Sequence, residues 1–377
     1  MQQKEHFKGR NYWIDLYRLL CMFLITTIHI IGYSHLTNAI SPGHFNVYAI
    51  SILQTLQHFS ISGFTLISAY FLVTCESTEK KIVKFWVQLV FFSVIILFLS
   101  LLLPIPPISF KLCLQSFFPV FSNHFWYPVN YIFLLFLAPV LNKGICRLTK
   151  KELFSVIVFF VFVVSIFFHI NPFFDPSVFL GHSSHGLIWF ILLYLIAAYI
   201  RIHGVSKPLL FGPICFSVSA ICMFALVLLQ NGCLGFFSEQ SIFMVALSRI
   251  HILDNNSILS LMLAVSSFIM FMNFKSTSNN IATHMILCSA PSMFPIYLIQ
   301  EHNAIRQFLW DFIDITKWAN SYWLLAVILL VFILIWIVSI GLCFIYRLAH
   351  SLLLCKFELF ILKFTKKMVS SHSHQDD

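Results

Sequence analysis

At 377 residues with a formal net charge of +9, the chain is 59% hydrophobic and only 10% charged, far below the roughly 25% charged of soluble domains. This composition excludes an ordinary soluble enzyme. It also points away from nucleic acid, because the basic residues sit in short stretches between long apolar runs, as membrane topology signals do.

The first run, Tyr12 to Ser34, is about long enough to cross a bilayer as a helix, yet it contains Asp15, Arg18 and His29. Ionisable groups at that depth are costly and read first as functional. Arg18 and His29 lie 11 residues apart, about 20° beyond three full turns and roughly 16 Å along the axis, so both point to one face. Asp15, one turn before Arg18, is placed to pair with it. The plainer reading makes Asp15 and Arg18 an interface anchor and His29 a hydrogen-bonded core residue. Further runs give about ten spans, at 12–34, 47–73, 82–103, 124–142, 152–171, 185–201, 208–230, 257–273, 283–301 and 321–348. The ninth contains Pro291 and Pro295 and is expected to kink. Ser241 to Arg249 is either a loop or an outer-face helix.

A cytoplasmic N-terminus puts 19 of the 23 Lys and Arg residues inside and leaves only Lys111, Arg249, Arg306 and Lys317 outside. That bias supports an even span count and cytoplasmic termini. The expected architecture is an all-α, polytopic transmembrane helix bundle of the inner or plasma membrane. It forms a single domain over 1–377, with its core at about 10–348 and a basic cytoplasmic tail at 349–377. The first span is too long and too charged for a cleaved leader. The 10 cysteines show no paired metal spacing and read as packing residues, although Cys113 and Cys233 fall in expected outer loops where pairing is open.

With this topology Arg18 lies in the inner third of its helix and His29 deeper. The pair suits a long anionic donor entering from the cytoplasm, with phosphates held at the mouth and the reactive end about 16 Å further in. An acyl-coenzyme A has that shape, and His29 is then the general base for an acceptor hydroxyl.

Arg18-x10-His29, preceded by Asp15, resembles the signature of acyltransferase family 3, membrane proteins many of which O-acylate bacterial surface polysaccharides. Other segments resemble the family in order: Ser60-Ile61-Ser62-Gly63-Phe64 its Ser-Gly-aromatic segment, Lys81-Ile82-Val83-Lys84 its Arg-x-x-Arg motif, His124-Phe125-Trp126-Tyr127 its His-x-Trp-aromatic motif, and Tyr297 to His302 its Tyr-Leu-Ile-His segment. Lysines replace both arginines of the basic motif, which keeps charge but loses the bidentate fork. Gln300 stands where the family has histidine and cannot carry that residue's proton chemistry, and the nearest imidazole is His302. The resemblance implies an O-acyltransferase that uses acetyl-CoA or another acyl-CoA, with no metal and no permanently bound cofactor. Its acceptor is a sugar hydroxyl of a glycan or lipid-linked glycan. Arg18, Lys81 and Lys84 then hold donor phosphates, and His29 is the base or a transient acyl carrier. Separate envelope glycan-assembly proteins are expected partners.

Several residues keep plainer roles open. Lys81 and Lys84 also fit ordinary topology signals, and Trp126 and Tyr127 fit an aromatic belt as well as acceptor contact. His58 fits either the same cavity or a structural hydrogen bond, while Ser62 and Gly63 read as packing residues. Glu301 either pairs with Arg306 and water or supports His29. A glycan transporter also accounts for buried charge, and a polymerase is the third reading. The transporter gives no reason for the Arg18 to His29 spacing. A polymerase is expected to carry a large basic outer loop, whereas the outer side here has four basic residues spread over short loops.

Overall fold

The computed structural model describes residues 11–75, 77–105, 108–122, 124–167, 169, 186–231, 253–274 and 281–373. Lys4, Lys8, Arg10, Cys233, Lys275 and the Ser241 to Arg249 stretch lie outside the described residues. Cys113 is a free thiol.

Among the described residues the protein is helical, with no strand. Short turns aside, the elements are α1 (Tyr12–Tyr33), α2 (Asn46–Gln57), α3 (Ser60–Leu72), α4 (Glu79–Ser100), α5 (Phe110–Phe117), α6 (Trp126–Ile145), α7 (Lys150–Val161) and α8 (Leu187–His203), followed by α9 (Pro208–Gln230), α10 (Ile258–Asn273), α11 (Ile281–Ser289), α12 (Met293–Glu301), α13 (Arg306–Ile313), α14 (Leu324–Ala349) and α15 (Cys355–Ser373). Five helices in this set are long and apolar enough to cross a membrane: α1, α4, α6, α9 and the run Leu324–Thr365. The other expected spans are shorter or interrupted. The second is divided between α2 and α3 at His58 and Phe59, where the Ser60 hydroxyl donates to the Gln57 carbonyl at 2.6 Å. In an unbroken helix that carbonyl belongs to the N–H of residue 61. The ninth is α11 and α12 joined by a 3-10 turn at Ala290–Ser292, where Pro291 lacks the N–H that would continue the α-helix. Beyond α14, a π turn at His350–Leu354 leads into α15, which packs against α4.

Helix α1 is the hub. Asn11 Oδ1 caps it by accepting from the Trp13 N–H at 3.0 Å, and it packs against α2, α3, α10, α11 and α12. It feeds two apolar cores, one through Tyr17, Cys21 and Leu24 and the other through Met22, Ile25 and Ile30. The approach to α3 depends on Gly63, where an added Cβ would lie 2.9 Å from Tyr17 Cζ and 3.2 Å from Cys21 Sγ. Tyr17 is pinned from the other side by Ser267, hydroxyl to hydroxyl at 2.8 Å. Beside Gly63, Ser62 Oγ accepts from Trp189 Nε1 at 3.1 Å. The Ser-Gly pair therefore sets helix spacing.

Candidate active site

Arg18, Met22, Ile25 and His29 recur at intervals of four, three and four residues, which aligns them in one stripe along α1. Phe71, Ser68, Phe64 and Ile61 form the matching stripe on α3. Tyr127 and Tyr131 of α6 stack at 6.4 Å between ring centroids, and Tyr127 lines the space beside His29. The three helices thus make a seam with Arg18 at one end and His29 at the other.

At the Arg18 end, Arg18 Nη1 donates to Asp15 Oδ1 at 2.6 Å. Its guanidinium also stacks over Phe71 at 5.7 Å. An open groove of about 430 Å³ takes in Asp15, Arg18, Tyr70, Phe71 and Arg201, and Arg201 lies over the Tyr70 ring at 4.6 Å. Two guanidiniums held on aromatic faces with room between them suit a phosphorylated ligand. Lys81 and Lys84 do not line this groove. Lys81 Nζ lies 2.6 Å from Cys75 Sγ in an exposed turn, and Lys84 lines a separate groove of about 380 Å³ with Arg347 and His350.

At the other end, His29 sits between α1 and α12 with both ring nitrogens engaged. Nδ1 lies 2.6 Å from Gln300 Oε1, and Nε2 lies 3.2 Å from Glu301 Oε1. The Gln300 amide is oriented by its second bond, in which Nε2 donates to Thr26 Oγ1 at 2.8 Å. Thr26 accepts there because its own proton goes to the Met22 carbonyl at 2.9 Å. Gln300 therefore offers His29 an oxygen, and Nδ1 carries a proton toward it; Nε2, facing an acceptor-only carboxylate, bonds Glu301 only once it is protonated as well. Gln300 takes no proton itself, but it fixes the tautomer of the residue that can. Glu301 also accepts from the Tyr33 hydroxyl at 2.7 Å, and its other oxygen faces Arg306 Nη1 at 3.7 Å. Glu301 thus faces His29 and Arg306 together.

The remaining candidates separate into two groups. Trp126 and Tyr127 line the same small chamber as His29. His58 is not among the residues lining it, and its Nδ1 lies 3.3 Å from Ser260 Oγ on α10. His302 is fully buried. Its Nδ1 accepts the Ala304 N–H at 3.1 Å and its Nε2 bonds the Ser93 carbonyl at 3.0 Å. With both nitrogens spent on backbone, His302 locks the turn that presents Glu301. The Arg18 groove and the His29 chamber share no lining residue, and the facing stripes of α1 and α3 run between them. On the far side of His29, Tyr33, Ser34, Gln307, Trp310, Asp311 and Asp314 line a groove of about 460 Å³.

The family model described as an acyltransferase domain matches residues 11–342. The chain belongs to acyltransferase family 3. No curated protein and no solved structure shows a match to it. Family membership makes this protein an acyltransferase, deciding against the transporter and polymerase readings. With its apolar helices, it is a multi-pass membrane protein. Thr26, Tyr33 and Arg201, which sequence reasoning did not single out as site residues, are drawn in by contacts across helices. The local signal for Thr26 was its place one turn before His29 in an apolar helix.

Proposed function

We propose that this acyltransferase moves an acyl group, acetyl in the first place, from cytoplasmic acyl-coenzyme A to a sugar hydroxyl of a cell-surface polysaccharide or its lipid-linked precursor. The observation that carries the reading is the His29 to Glu301 pair, its basic Nε2 defined by Gln300, at the end of a stripe that begins at Arg18. Arg18 and Arg201 hold the donor's phosphates in the open groove, and the pantetheine arm follows the seam toward His29. The acceptor enters by the groove beyond Tyr33, whose aromatic and hydrogen-bonding side chains suit a polyol. Its hydroxyl gives a proton to Nε2, and the imidazolium that forms is stabilised by the Glu301 carboxylate. Tyr33 and Arg306 hold that carboxylate in place.

The test uses protein purified in detergent with labelled acetyl-CoA, together with mass spectrometry of surface glycan from cells with and without the gene. Wild type releases coenzyme A and labels a glycan, and His29→Ala, while still inserted, does neither. Acylation retained in His29→Ala overturns the mechanism.

A further inference from the structure

Proton transfer leaves one feature at His29 unexplained. Against the imidazole lies a largely enclosed chamber of about 30 Å³, walled by Met22, Ile61, Phe64 and Phe294 and reached by the rings of Tyr127 and Tyr297. A space of that size holds about two water-sized groups, room for a methyl and a carbonyl but not for a longer chain. His29 is the one residue in its lining able to carry positive charge, so a carboxylate pushed among these walls is poorly compensated.

Tyr297 adds a second, independent observation. The residue is 6% exposed, and its buried hydroxyl has no hydrogen-bond partner. The backbone N–H of Tyr127 approaches the phenol oxygen without completing a bond, and being a donor it leaves the phenol's own proton unspent. A buried hydroxyl without an acceptor is costly and calls for a cause. Its ring centroid lies 6.4 Å from that of His29, and both rings line the chamber.

We propose that this chamber is the acyl pocket. It takes the donor's acyl group as a short, uncharged unit, acetyl in size, with the thioester carbonyl oxygen accepting from Tyr297 Oη. The inference rests on the acyl-CoA reading above and sharpens it from any acyl group to the smallest. In the transfer, the acceptor oxygen bonds to the carbonyl carbon as its proton passes to His29 Nε2, and the carbonyl electron pair moves onto the oxygen held by Tyr297. The oxyanion pair then returns to re-form the carbonyl as the carbon to sulfur bond breaks, and sulfur keeps the bonding pair. Sulfur takes the proton back from His29, leaving an O-acyl ester and free coenzyme A.

The experiment gives purified full-length protein acetyl-, propionyl-, butyryl- and succinyl-CoA in parallel. Wild type is expected to favour acetyl over butyryl by about 100-fold in kcat/KM, the scale that methylene-sized misfits reach, and to reject succinyl. Phe64→Ala should raise the butyryl-to-acetyl ratio by about tenfold or more. Ile61→Ala, one turn away, reads the same ratio if Phe64→Ala does not fold. Tyr297→Phe should lower kcat on acetyl-CoA by about 10²-fold, the worth of one oxyanion donor, with KM for the donor unchanged. A purely structural tyrosine would not split the two constants. Equal use of acetyl, butyryl and succinyl by wild type, an unchanged ratio in the folded wall variants, or full activity of Tyr297→Phe overturns the pocket. If wild type transfers no group from any of the four, the acyl-CoA reading has failed and the pocket goes with it. Acetyl transfer with an unaltered length profile sinks the pocket alone.

Discussion

Arg18 and His29 stand on one stripe of α1, but their surroundings differ in kind. Arg18 is 25% exposed, with one carboxylate partner and an open groove beside it. The His29 side chain is 12% exposed, and a neighbour meets each ring nitrogen. A charge at the open end can be shared among several cations, since water screens and relaxes it. At the closed end each proton has one place to go, and a single atom decides whether the nitrogen facing the acceptor is basic. On the proposed reading, binding energy belongs to the first region and chemistry to the second.

That contrast is open to attack from its strongest side first. Glu301→Gln keeps the shape and removes the charge, so kcat should fall about 10²-fold, the lower range for a positioned acid–base group, with donor KM unchanged in steady-state coenzyme A release. An unchanged kcat would make the pair merely structural. Gln300→Leu removes the acceptor from His29 Nδ1 and should lower kcat about tenfold, near the value of one charge-assisted hydrogen bond. A loss confined to KM would put Gln300 in binding instead. Smallest is the effect at the open end. Arg201→Ala should raise donor KM about five- to tenfold at constant kcat, whereas Lys84→Ala, in its separate groove, should change KM by less than about twofold. The reverse order would move the phosphate site to the Lys84 groove.

What the sequence disclosed followed helical periodicity. The stripe from Arg18 to His29, the Asp15 ion pair and the kink at Pro291 are all local, set by residues within a few turns of each other. The division of the second expected span at His58 was hidden because no proline or glycine marks it; a serine hydroxyl competing for one carbonyl does the work. Gln300 read as a deficiency because its neighbours Thr26 and His29 lie on another helix. Arg201 read as one topology signal among many, since only the packing of α8 on α3 puts it across a groove from Arg18. Lys81 and Lys84 fitted a basic motif, yet helix α4 points them away from that groove.

His29 and its partner Gln300 are 271 positions apart in the chain. During synthesis, therefore, the opening helix inserts long before its carboxylate and amide have been translated, and the imidazole waits in the lipid interior without them. Fragments ending short of residue 300 lack both partners of the His29 ring. On the proposed reading the nascent protein stays silent until its last quarter has been made.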